Sequence, residues 1–199
     1  MAELTARQKE IIEVAVKLMA EGGIQKLTMK NIARALNISE PAIYRHFESK
    51  MDILLSMLTQ FKQHSGDHLR SARSLNGSRL AQLETIFLEH VGRFANHPHM
   101  TAVVFSEEAF QDDTRLAEQV FSIMTTADET IAEVIAEAQH NGEIRADLPK
   151  EHLTLMILGT LRLMVKRWRL SGYAFDLQQE SRQVWNSLKV LLAADSSSP

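Results

Sequence analysis

The chain has 199 residues, of which 45% are hydrophobic and 24% charged, a composition typical of a globular protein with a sizeable core. It contains no cysteine, which excludes disulfides, thiolate metal sites and cysteine nucleophiles. The net charge is −3, but residues 1–50 carry eight basic against six acidic side chains, so the N-terminal part is weakly basic and the remainder acidic.

Neither a signal peptide nor a transmembrane helix is predicted. The N-terminus is charged from Glu3 onward and lacks the apolar stretch of a signal peptide. The longest apolar run, residues 153–165, is too short to span a bilayer and contains Gly159 and Arg162. We therefore expect a cytoplasmic protein.

The first two helices have recognisable ends. Thr5 and Gln8 have the spacing of a capping box, and the Gly-Gly pair at 22–23 is expected to end the first helix at about residue 21. Thr28 is expected to cap a second helix that runs to Leu36.

A tight turn and two more helices follow. Asn37 suits the turn because its side chain tolerates positive φ. Ser39 is expected to cap a third helix that runs to Phe47, so that the second and third helices form a helix–turn–helix pattern. Ser49 and Asp52 have capping-box spacing for a fourth helix that ends at about residue 64.

The rest of the chain is also predicted to be helical, since no segment alternates like a strand. We expect five further helices at about 78–95, 98–110, 114–140, 148–170 and 176–194. The predicted fold class is therefore all-α, with about nine helices.

The third helix carries side chains of the types that contact DNA. Ile43 and Phe47 form its inward edge, so residues 41, 42 and 44–46 are left to face outward. A solvated helix would more often carry Glu and Lys there. Arg45 can pair with a guanine edge, and a proline or alanine can press on a thymine methyl group. Tyr44 and His46 are expected to reach phosphates.

The run ALNISEPAIYRHFESKMDIL closely resembles the DNA-binding domain of the TetR family of bacterial transcriptional regulators. The resemblance is strong over about residues 8–58. It implies DNA contacts from several matching positions, while the base contact of Arg45 is inferred from its chemistry. The predicted DNA-binding residues are Thr28, Lys30, Ser39, Pro41, Ala42, Tyr44, Arg45, His46 and Lys50.

Glu40 departs from the neutral polar or small residue common at its position in that family. Its carboxylate can accept a hydrogen bond from a cytosine amine or can stabilise the N-terminus of its own helix. We favour the helix-stabilising role.

The resemblance also implies that the C-terminal helices form a homodimer interface. The sequence supports this, because residues 153–165 are apolar nearly all round and Gly159 permits close approach of another helix. The residues predicted at the interface are Leu158, Gly159, Arg162, Val184, Trp185, Leu188 and Leu191.

The resemblance further implies an effector pocket in the same half of the chain. Bulky aromatic residues and flexible methionines suit apolar ligands, although an ordinary helical core would contain the same residues. Glu107 can meet a cationic ligand, but we favour a solvated position or an internal ion pair for it. The predicted pocket residues are Phe87, Phe94, Met100, Phe105, Glu107, Phe121, Met124, Met156 and Trp168.

Metal and enzyme functions find little support. His64 and His68 are four residues apart and His97 and His99 flank a proline, but each pair needs further ligands to hold a metal ion. No nucleophile elbow, phosphate loop or dinucleotide fingerprint is present. We predict no cofactor, no metal and no catalytic activity.

The sequence thus predicts a DNA-binding domain at residues 1–50, an effector-binding and dimerisation domain at 51–195 and a disordered tail at 196–199. The predicted function is a homodimeric repressor that binds double-stranded DNA and leaves a palindromic operator when a small apolar or amphipathic effector binds. The alternative is a DNA-binding protein of the same kind whose C-terminal half binds a protein partner.

Overall fold

The computed structural model describes residues 4–73, 77–105 and 113–194, apart from the side chains of residues 64, 65, 67–73 and 103. All regular secondary structure within these ranges is helical, which confirms the predicted all-α class. None of the described helices is long and apolar enough to cross a membrane. The predicted tail at 196–199 lies outside the described residues.

Nine α-helices and one 3-10 turn, Ile24–Lys26, make up the described fold. The helices are α1 Ala6–Gly22, α2 Met29–Ala35, α3 Glu40–Tyr44, α4 Lys50–Arg73, α5 Arg79–Asn96, α6 His99–Val104, α7 Thr114–His140, α8 Lys150–Leu170 and α9 Leu177–Leu192.

Several predicted caps and turns are confirmed. The Thr5 hydroxyl accepts from the Gln8 amide at 3.2 Å and the Gln8 side chain accepts from the Thr5 amide at 3.0 Å, which completes the capping box of α1. Asn37 has a φ of 54°, as the predicted turn requires. Ser39 stands at the N-cap of α3 but makes no capping hydrogen bond through its side chain, contrary to expectation.

Three helices differ in length from the prediction, and one of them is α6, which ends at Val104 rather than at about residue 110. α4 continues through Gly66 to Arg73, because one glycine in a long helix costs only about 1 kcal/mol relative to alanine. α3 is shorter than predicted and ends at Tyr44. The Ile43 carbonyl accepts from the amides of both His46 and Phe47, at 2.9 and 3.1 Å, so the chain tightens into a turn.

The chain divides into two compact units. The first consists of Met1–Lys62 and His97–Phe121, and the second of Gln63–Asn96 and Ser122–Pro199. This division differs from the expected boundary at residue 50, because α6 and the beginning of α7 join the N-terminal helices. α1 contacts both α2 and α6 within the first unit.

The second unit is built around α5, which contacts α8 and α9. Trp185 of α9 is fully buried, with its ring centroid 5.2 Å from that of Phe87. The turn after α7 holds this core together. The Glu143 carboxylate accepts from the Leu80 amide, at the start of α5, at 3.0 Å. The next residue, Ile144, is buried.

Candidate nucleic-acid interface and effector site

The helix–turn–helix is held by a small apolar core in the first unit. Ile32 of α2 and Ile43 of α3 are fully buried, and Phe47 is buried just beyond α3. The two helices contact each other across the turn at Asn37. Because the inward residues of α3 are locked, its outward residues have a defined direction.

The predicted DNA-binding residues lie on the outer surface of this motif or at its edge. Tyr44 keeps 50% of its surface exposed although it is a large aromatic residue. Exposed side chains are those of Thr28, Lys30, Ser39, Pro41, Tyr44 and Arg45, and half-buried ones are those of Ala42, His46 and Lys50.

Two hydrogen bonds brace this surface. The Gln8 side-chain amide donates to the His46 carbonyl at 3.3 Å, which ties α1 to the end of α3. The Thr28 hydroxyl accepts from the Asn31 amide at 3.1 Å, so its own proton can be donated to a phosphate oxygen.

The second segment of the first unit supports α4 from the side. Arg115 of α7 bridges Asp113 and Asp52, at 2.6 and 3.1 Å. Gln119, one turn further along α7, donates to the Thr59 hydroxyl at 3.3 Å. The first half of α4 is thus fixed to the second segment of the first unit.

The residues predicted at the dimer interface do not share one surface. Trp185 and Leu188 are buried within the chain, because they form the inner face of α9 against the core of the second unit. Gly159 and Leu191 are exposed. Leu158, Arg162 and Val184 are half-buried.

A different set of apolar residues lies exposed on α8 and α9. We call it the outer stripe. Gly159 and Leu191 of this stripe were predicted at the interface but its other members were not, because residues 153–165 of α8 are apolar nearly all round and their pattern does not tell the inner face from the outer one. The outer stripe consists of Leu155, Met156, Gly159, Leu163 and Leu170 on α8 and Val190 and Leu191 on α9.

The predicted pocket residues are spread over both units. Phe87, Phe94 and Trp168 are buried in the second unit and Met100 in the first. Phe105 is half-buried in the first unit. The remaining residues are placed differently from a buried pocket lining: Phe121, Met124 and Met156 are exposed, and Glu107 lies outside the described residues.

His90 and Arg93 on α5 form a polar pair in the second unit that sequence reasoning missed. Arg93 Nη2 lies 2.9 Å from His90 Nδ1. Burial lowers the pKa of Arg93 to about 10, against the opposing charge of Glu89, and burial followed by the charge of Arg93 lowers the pKa of His90 to about 3. The available signal was two titratable residues among Phe87, Val91 and Phe94 at helical spacing.

A groove of about 570 Å³ separates α7 from α8 within the second unit. Its walls are acidic, and burial together with Glu129 raises the pKa of Asp128. It was not predicted from the sequence. The lining residues are Asp128, Glu129, Ala132, Glu133, Lys150, Glu151, Thr154 and Leu155.

The histidine pairs do not extend into a metal site among the described residues. The rings of His97 and His99 are 5.7 Å apart, and no third His, Cys, Asp or Glu of the described set completes a cluster with them. The side chains of His64 and His68 lie outside that set.

Comparisons with known families match nearly the whole chain. The family model described as "Bacterial regulatory proteins, tetR family" matches residues 11–57. The model described as "YsiA-like protein, C-terminal region" matches residues 47–192, which is more than half of the chain.

Individual relatives are distant but align over most of their length. The chain is 23% identical over 184 residues to the probable acrEF/envCD operon repressor of Escherichia coli K12, covering 90% of this chain and 84% of that one. It is 26% identical over 187 residues to the fatty acid metabolism regulator protein of Bacillus subtilis 168, covering 92% and 94%. Its fold is similar to that of the transcriptional regulator FadR from Bacillus subtilis in complex with stearoyl-CoA, with a TM-score of 0.77, 23% identity and coverage of 90% and 96%.

Proposed function

The chain belongs to the tetR family of bacterial regulatory proteins, and we propose that it is a homodimeric repressor that leaves a palindromic operator when a fatty acyl-CoA binds. The observation that carries the DNA-binding part is the surface of α3. Tyr44 ends the short helix α3 and Arg45 follows it, and both are exposed, whereas Ile43 and Phe47 on the inner side are buried.

Recognition follows from this placement. A helix of this kind lies in the major groove, where Arg45 reads a guanine edge and Pro41 and Ala42 meet thymine methyl groups. Tyr44 and Lys50 bind phosphates and set the affinity and its dependence on salt. The protein acts in the cytoplasm, where it reaches chromosomal DNA.

We assign dimerisation to the outer stripe. Leu163 keeps 60% of its surface exposed and Leu155 72%, which is unfavourable for two large apolar side chains on one helix face. Gly159 lies between them, and in the described structure nothing stands within 4 Å of the position that a Cβ would take there. A two-fold axis through this face buries the stripe, and the resulting dimer carries two copies of α3, as a palindromic operator requires.

The effector proposal has separate support. One relative is the fatty acid metabolism regulator protein of Bacillus subtilis, and the FadR regulator from Bacillus subtilis, which has a similar fold, was solved with stearoyl-CoA. A long acyl chain suits a unit whose core contains Phe87, Phe94 and Trp168. These relatives do not favour the alternative of a protein partner in place of a small ligand.

Release from DNA is a shift between two populations of the dimer. The acyl-CoA acts only to the extent that it binds the two states unequally. α4 passes from the first unit into the second at Lys62 and Gln63, so it connects the DNA-reading helices to the rest of the chain.

The test is a selection of random duplex DNA by the purified full-length protein, read by sequencing. We expect one palindromic motif, and an affinity for it that falls about tenfold or more in Tyr44→Ala and in Arg45→Ala. Both variants should melt like the wild type because both side chains are exposed.

Lys17→Ala is the matched control, since Lys17 is an exposed cation of α1 outside the helix–turn–helix. It should bind the motif as the wild type does. Enrichment of no sequence by a folded dimer, or equal binding by all four proteins, would contradict the proposed DNA-binding surface. Release of the motif by stearoyl-CoA, but not by an equal concentration of octadecanol, tests the effector.

A further inference from the structure

Arg93 is an unusual residue for the interior of a helical unit. Its Nε and Nη1 are shielded from solvent, and within the part of the chain that the structure describes no atom accepts a hydrogen bond from either. A buried guanidinium with two unsatisfied nitrogens is strongly unfavourable, so these nitrogens require a compensating partner in some state of the protein.

His90 fixes the orientation of this group. Arginine has no acceptor atoms, so the contact at 2.9 Å makes His90 Nδ1 the acceptor and places the imidazole proton on Nε2. The ring of His90 lies 5.6 Å from that of Phe94, which is itself buried. The Nη2 atom of Arg93 therefore donates to His90, while Nε and Nη1 have no acceptor among the described residues.

Glu89 does not provide the missing partner. It faces solvent one residue from His90, and its charge acts on Arg93 only through space. Burial still holds the pKa of Arg93 below its usual value, which shows that the positive charge is poorly compensated.

We propose that Arg93, oriented by His90, binds an oxyanion of the effector, either a carboxylate or a phosphate. A guanidinium offers the paired donors that both groups accept, and a water-excluded position makes such a contact strong and selective. The site rests on the proposed effector-binding function but adds the part of the ligand that is recognised.

The first test uses small oxyanions and does not depend on the identity of the effector. Acetate and inorganic phosphate are titrated against sodium chloride of equal ionic strength while the melting temperature is followed. The wild type should gain several degrees with at least one of the two, since a ligand that binds only the folded state stabilises it.

Arg93→Met should lose this gain, and without added anion it should melt at the same temperature as the wild type or higher, because an unpaired buried charge has been replaced by an apolar side chain. Arg79→Met is the matched control on the same helix. Arg79 already pairs with Glu137 at 2.6 Å, so this variant should keep the gain.

The source of the oxyanion is identified with stearate, coenzyme A and stearoyl-CoA. A carboxylate site responds to acetate and stearate, whereas a phosphate site responds to phosphate and coenzyme A. In either case Arg93→Met should weaken binding of the active probe by about 30-fold or more.

Three results would contradict the proposed binding of an oxyanion by Arg93. These are a wild type insensitive to both small anions, an Arg93→Met variant that keeps the gain, and an Arg93→Met variant that melts several degrees below the wild type. The last would show that a carboxylate of the chain itself neutralises Arg93. A failure of stearoyl-CoA to release DNA, with the anion response intact, would refute only the proposed effector.

Discussion

His90 makes the stability of the protein depend on pH. Its pKa in the folded protein is about 3, against an ordinary 6.5, because burial and the neighbouring Arg93 disfavour the charged ring. Above pH 6.5 the ring is neutral in both states and has no effect on stability. Below that value the unfolded chain takes up a proton that the folded chain does not, so the folded state loses stability as pH falls towards 3.

The expected loss from this one residue is about 1.4 kcal/mol for each pH unit between 6.5 and 3. His90→Gln should remove it, since glutamine does not titrate and can still accept from Arg93. The measurement is the free energy of unfolding by urea from pH 7.5 to pH 5. The wild-type curve should fall below that of His90→Gln as pH decreases, and parallel curves would contradict the burial of His90.

Most residue-level expectations with a local cause succeeded, and the side-chain cap of Ser39 is the exception. Thr5, Gln8 and Asn37 were assigned from their own chemistry and their spacing along the chain. The pair His90 and Arg93 could not be predicted in the same way, because an unsatisfied donor is defined by what surrounds it in space. Trp185 was predicted at the dimer interface but is buried inside the chain. Helical spacing places a residue on one face of its helix but does not show what covers that face.

At the scale of helices, the outer stripe is the feature with the clearest consequence. Leu163→Glu should leave the fold of the single chain intact, because that side chain is 60% exposed before any association. In the dimer the glutamate would be buried opposite apolar groups and near its two-fold copy. We expect the dimer dissociation constant to rise by 100-fold or more, consistent with a cost of about 3 kcal/mol.

Sedimentation equilibrium measures this effect directly. Gln178→Glu is the control, since it adds the same charge at an exposed position of α9 outside the outer stripe. It should remain a dimer. A Leu163→Glu protein that stays dimeric at micromolar concentration would place the interface elsewhere.

The order and type of the helices could be predicted almost completely, while the C-terminal ends of α3, α4 and α6 could not. α7 was predicted with the bounds that the structure has, because Thr114 and the Asn-Gly pair at 141–142 interrupt the pattern locally. α4 runs past Gly66 since a single weak position does not stop a helix that is long on both sides. α3 ends early through backbone bonding that side-chain patterns do not reveal.

At the scale of the molecule, the first unit is assembled from two segments of the chain, Met1–Lys62 and His97–Phe121. A fragment of residues 1–62 should therefore fold poorly by itself. It lacks α6, which contacts α1, and it lacks the buried Leu116 and Val120 of α7. Very small units are only marginally stable even when they are intact.

Circular dichroism during heating tests this expectation. The fragment 1–62 should show reduced helicity and a broad transition, whereas the same fragment joined to residues 97–121 by a flexible linker should melt cooperatively. Equal, sharp transitions for both would mean that the second segment is dispensable. The boundary at residue 50 was expected because the fourth helix, which begins there, was taken to belong to both halves, and the order of helices along the chain contains no information on packing between distant segments.

Because the first unit is built from two segments of the chain, recombination between genes of this family is constrained. A single recombination event near residue 62 would join one protein's DNA-reading helices to another protein's α6 and α7, and would mismatch Asp52 with Arg115 and Thr59 with Gln119. A working hybrid needs both segments transferred together, with junctions near residues 62, 96 and 121. New pairings of operator and inducer should therefore arise more readily by point substitutions on the surface of α3 than by shuffling of whole N-terminal halves.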